Sequence, residues 1–76
     1  MNVSLDNAVF NVTGNRLMVS TGSTETYYRL PTGARKITVW HYAKGRAALA
    51  IGGFVKPSIT ITGPEHVIAA LRDAVL

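Results

Sequence analysis

Lys36-Ile37-Thr38-Val39-Trp40-His41-Tyr42 alternates strictly and is rich in β-branched and aromatic residues, the pattern of a strand with two different faces. Ala43-Lys44-Gly45-Arg46 follows, and then Ala47-Ala48-Leu49-Ala50-Ile51. The two runs predict a hairpin with a basic tip. A helix competes for the alanine-rich run, but Gly52-Gly53 ends it at a length too short for a stable helix, so it reads as a strand.

Toward the C-terminus, Gly52-Gly53 and Lys56-Pro57 punctuate the connection to Ser58-Ile59-Thr60-Ile61-Thr62, which alternates again with Ile59 and Ile61 on one face. Thr62-Gly63-Pro64-Glu65 then opens a helix. Proline in the first turn loses no hydrogen bond, and Glu65 suits the positive end of the helix dipole. Val67, Ile68, Leu71 and Val75 recur at three- and four-residue spacing as one apolar stripe that requires a sheet to cover.

Toward the N-terminus, Ala8–Val12 and Leu17–Ser20 are β-prone runs on either side of Thr13-Gly14-Asn15-Arg16, a hairpin signal. After the polar break Thr21-Gly22-Ser23, the segment 25–30 alternates, with Thr26, Tyr28 and Leu30 opposite Glu25, Tyr27 and Arg29. It ends in a turn by composition at Pro31-Thr32-Gly33. The architecture expected is a single small α+β domain over residues 1–76, an antiparallel sheet of about five strands with one C-terminal helix packed on one face. A small half-open β-barrel plugged by the helix is the alternative.

The chain has 76 residues, 47% hydrophobic and 16% charged, a balance that fits a packed domain and argues against a disordered tail. Without cysteine there is neither a disulfide framework nor a thiolate metal site. Residues 1–6 lack the basic start and apolar run of a secretory signal, and no stretch approaches the roughly 20 apolar residues of a membrane span. A soluble cytoplasmic protein is expected, with no membrane partner.

Signals for catalysis are missing. His41 and His66 lie on separate elements without ligand spacing, and Asp6, Glu25, Glu65 and Asp73 are scattered. Nor is there a Gly-x-Ser-x-Gly elbow, and Gly52-Gly53-Phe54-Val55-Lys56-Pro57 lacks the ending of a phosphate-binding loop. The sequence therefore predicts a non-enzymatic protein with no cofactor, no metal and no catalytic residue.

Eight Lys and Arg against four Asp and Glu give a net charge of +4 and an isoelectric point near 10.0, which favours an anionic partner. If Ile37, Val39 and His41 turn toward the helix, Lys36, Thr38, Trp40 and Tyr42 share the opposite face. A hairpin around Pro31-Thr32-Gly33 would add Tyr27 and Arg29 to that face. With Arg35, Lys44 and Arg46 nearby, the candidate ligand-binding set is Tyr27, Arg29, Arg35, Lys36, Trp40, Tyr42, Lys44 and Arg46. Rings interleaved with cations suit single-stranded nucleic acid, a nucleotide or a nucleoprotein complex, because bases stack while cations meet phosphates.

The same aromatic residues also fit a core or an interface. The alternative function is thus a protein-interaction module, such as a phage- or mobile-element-type inhibitor, adaptor or structural subunit, with a homodimer as one form. His41 is expected to point inward and be hydrogen-bonded in the core. His66, Arg16 and Arg72 are expected on the solvated surface.

Overall fold

A computed structural model describes residues 1–31, 36–52 and 57–76. Among these residues, seven strands precede one helix. They are β1 (Asn2–Ser4), β2 (Val9–Thr13), β3 (Arg16–Thr21), β4 (Thr24–Arg29), β5 (Ile37–Ala43), β6 (Arg46–Ile51), β7 (Ile59–Pro64) and α1 (Glu65–Val75). The strands form two sheets, ordered β1-β7-β6-β5 and β2-β3-β4.

The fold is α+β with the expected C-terminal helix, but there are seven strands rather than about five, and neither sheet closes into a barrel. One pairing is parallel: β1 runs alongside β7 with Val3 opposite Ile61, tied by Leu5 N–H to the Thr62 carbonyl at 2.8 Å and Thr60 N–H to the Met1 carbonyl at 2.9 Å. Such a pairing joins the two ends of the chain, so no hairpin turn in the sequence signals it.

The three-stranded sheet is built by its turns. Gly14-Asn15 joins β2 to β3 and Gly22-Ser23 joins β3 to β4, and both glycines take φ 60°. Glycine in that conformation at the first position of a two-residue loop matches the strand twist in a hairpin. These turns fix Phe10 opposite Val19 and Leu17 opposite Tyr28, which puts Phe10, Val12, Leu17, Val19 and Tyr28 on the face that packs on the core.

β6 holds the centre of the other sheet. Ala47, Ala48, Leu49, Ala50 and Ile51 are all buried, which accounts for a run without alternation. Ala47, Leu49 and Ile51 face the core. Ala48 and Ala50 lie on the other side, between Trp40 and Thr38 of β5 and Thr62 and Thr60 of β7.

The helix lies across β6 and β7 and touches β2 of the second sheet. Its Ile68, Leu71 and Val75 are buried, as the stripe requires, and they join Val3, Leu5, Leu17, Val19, Leu49 and Ile61 in one core. No side chain caps its start. Instead, Glu65 N–H donates to the Gly45 carbonyl at 3.0 Å, so the tip of the β5–β6 hairpin satisfies one of the helix's open donors.

The expected hairpin between β4 and β5 does not form, because β4 ends one sheet and β5 ends the other. Residues 32–35, which include Thr32 and Gly33 of its expected turn, lie outside the described residues, as do residues 53–56. No helix among the described residues is long and apolar enough to cross a membrane.

Candidate functional site

The outer face of β2-β3-β4 carries three cross-strand rows: Val9, Ser20 and Glu25; Asn11, Met18 and Tyr27; Thr13, Arg16 and Arg29. Strand alternation sends these side chains away from the core while their neighbours fill it. Asn11, Asn15, Arg16, Met18, Tyr27 and Arg29 line a hollow of about 690 Å³.

Within the hollow the Arg16 guanidinium stands over the Tyr27 ring, 5.5 Å from its centroid, in range for a cation–π contact. The Tyr27 hydroxyl donates to Glu25 Oε1 at 3.1 Å. That acceptor and its negative charge hold the Tyr27 phenol above its ordinary value, with Arg16 pulling the other way. Arg16 and Arg29 pair directly across the ladder, and among the described residues neither is in an ion pair.

The remaining candidates belong to the other sheet. Trp40, half-buried, shares the outer face of β5 with Thr38 and sits opposite Ala48. Tyr42 falls at an irregularity between His41 and Ala43 where the β5–β6 register shifts. Its hydroxyl accepts from Arg46 Nε at 3.2 Å. Lys36 and Lys44 are exposed before β5 and in the β5–β6 turn, whereas Arg35 lies outside the described residues.

Arg46 is held by internal contacts. Its guanidinium meets Asp6 with two parallel bonds, Nη1 to Oδ1 and Nη2 to Oδ2, the latter at 2.9 Å, a fork-to-fork geometry that orients both groups. The Ser4 hydroxyl donates to Asp6 Oδ2 at 3.2 Å and accepts from Asp6 N–H at 3.2 Å. Hydrogen bonding to Arg46 holds the Asp6 carboxyl below the usual range, and the Asp6 contact in turn pushes the Arg46 guanidinium up. The contact fastens the turn after β1 to the start of β6.

The described candidates therefore divide between the two sheets. Tyr27 and Arg29 come together with Arg16, a residue expected to be a plain solvated charge, while Trp40, Tyr42 and Arg46 belong to the second sheet, where Arg46 meets the Tyr42 hydroxyl. A signal for Arg16 was present: a two-residue loop at Gly22-Ser23 places Arg16 opposite Arg29 and Met18 opposite Tyr27.

His41 departs from expectation. It is on the helix side of β5, yet β5 is an edge strand and the helix packs mainly on β6 and β7. Its imidazole is 63% exposed, and Nε2 lies 3.3 Å from Glu65 Oε2. His66 is exposed on the first turn of the helix. No three His, Asp or Glu side chains gather as metal ligands among the described residues. Comparison with protein-family models, curated proteins and solved structures gives no match for this chain.

Proposed function

We propose that the protein is a non-enzymatic binding protein that takes single-stranded nucleic acid on the outer face of β2-β3-β4. The observation that carries this reading is the arginine pair. Arg16 and Arg29 stand opposite each other, outside any ion pair among the described residues, beside the Tyr27 ring. Two like charges side by side are unfavourable without an anion between them, and a phosphate supplies that anion. Tyr27 offers a face for a base, and Asn11 offers an amide group to its edge.

The test is fluorescence anisotropy of a labelled single-stranded RNA or DNA at rising salt. Contacts to two phosphates give a logarithmic salt slope of about −1.4, at roughly −0.7 per phosphate. Tyr27→Ala weakens binding about tenfold through lost stacking, and Trp40→Ala, on the other sheet, leaves it unchanged. Binding that depends on Trp40 and is indifferent to Arg16, Tyr27 and Arg29 would move the ligand to the second sheet.

A second reading, a protein-interaction module, draws support from a different strand. β5 is a seven-residue edge strand containing no Lys, Arg, Asp or Glu, and unguarded edges of this kind are places where another strand pairs.

A further inference from the structure

β5 is outermost in its sheet and pairs only with β6 among the described residues. The bond from Gly52 N–H to the Lys36 carbonyl, 2.9 Å, fixes which backbone groups remain open. In an antiparallel ladder alternate residues turn both groups to the partner. Lys36, Thr38 and Trp40 therefore face β6, and Ile37, Val39 and His41 present their N–H and C=O groups to the outside. No described backbone group outside the strand ladders meets them.

The other edges differ. β1 is three residues long, β2 touches the helix, and β4 carries Glu25 and Arg29. Short length, cover and charge are the usual ways to blunt an edge. Over Ile37–His41 β5 is longer than β1 and carries no Lys, Arg, Asp or Glu, the helix meets it through Glu65 beside the His41 imidazole, and its one irregularity falls beyond that segment, at Tyr42.

We propose that the open edge of β5 pairs with the same edge of a second copy of this chain, in an antiparallel two-fold dimer centred on Val39. In that register Val39 meets Val39 of the second copy, and Ile37 meets His41. All three outward residues of each copy then exchange both backbone groups, and the two four-stranded sheets become one. A two-fold contact must use one self-complementary patch, and the open segment is symmetric about Val39.

Side chains agree with the register. Val39 and Tyr42 are exposed large hydrophobic residues, 36% and 49% accessible, and Ile37 is half-buried. Ile37 and Val39 of both copies line one face of the join. The flanking cation Lys36 falls opposite Tyr42 rather than another lysine, so no like charges oppose each other across the strands. The pairing goes beyond the ligand reading and uses the other sheet, so either can fail without the other.

Light scattering or sedimentation in nucleic-acid-free buffer, from micromolar to millimolar protein, tests the dimer. The expected mass rises with concentration from 8.2 kDa toward twice that value. Val39→Lys places two ammonium groups on the two-fold axis and raises the dissociation constant up to about fivefold, with an unchanged circular dichroism spectrum. A monomer at every concentration overturns the proposal, as does a dimer equally strong in folded Val39→Lys. Should that variant lose its fold, Val39→Cys decides, since the chain has no other thiol. Its copies cross-link under mild oxidation faster than those of Asp73→Cys, an exposed helix position; equal rates overturn the pairing.

Discussion

Arg16 on β3 and Arg29 on β4 are directly opposed cross-strand partners, and Arg16 also covers the ring of Tyr27. The arrangement places two positive charges side by side on an exposed face. Like charges in that position weaken a ladder, by an amount on the order of 0.2–1 kcal/mol. Arg29→Gln relieves the repulsion and keeps the Arg16–Tyr27 contact. The expected outcome is a stability equal to or slightly above that of the parent in thermal unfolding, together with weaker binding of single-stranded nucleic acid. A loss of stability would mean that Arg29 has a structural partner.

The Asp6–Arg46 contact predicts a specific acid sensitivity. Because the bond to Arg46 depresses the Asp6 carboxyl in the folded chain below its ordinary 3.8, its stabilisation is fully present above that value. It is lost as pH falls through the lower folded value. Asp6→Asn lacks the charge at every pH, so the parent is more stable near neutrality and the gap closes in acid below 3.8. Denaturant midpoints of both proteins across this range check it; a constant gap would remove Asp6 as the titrating group.

The Tyr27 phenol gives up its proton less readily than an ordinary tyrosine. The Glu25 acceptor raises its phenol above the ordinary 10.0, and Glu25→Gln returns it toward that value. Ultraviolet titration reads the change directly, and Tyr27→Phe identifies which of the three tyrosines moved.

Leu49 lies in the middle of β6 with no accessible surface, between Val39 and Ile61. Leu49→Ala leaves a cavity where sheet and helix meet and is expected to cost about 2–5 kcal/mol. Val39→Ala, on the open edge, removes surface that is already partly in water and costs less than about 1 kcal/mol in the monomer. Chemical denaturation at low protein concentration separates the two.

Elements with strong local patterns were legible. The alternation over Lys36–Tyr42 marks β5, the Ala47–Ile51 run marks most of β6, and the stripe through Ile68, Leu71 and Val75 marks the buried side of α1. β1 was not legible, because three residues carry too little pattern and β7, their partner strand among the described residues, lies near the far end of the chain. The candidate face was half legible. Tyr27 and Arg29 stand out by composition and alternation, whereas Arg16 joins them only when Gly22-Ser23 is read as a two-residue loop that sets the register.

The sequence by itself determined the helix, most of the strands and which side chains within each of these share a face, since both follow from local backbone geometry. It determined the positive charge as well. Only the tertiary structure decided which strand pairs with which. A strand's N–H and C=O groups point sideways, at right angles to the side chains that carry the pattern, so alternation records the two faces and nothing about the neighbour. For that reason β4 and β5, consecutive in the chain, lie in different sheets, with Tyr27 on one and Trp40 on the other.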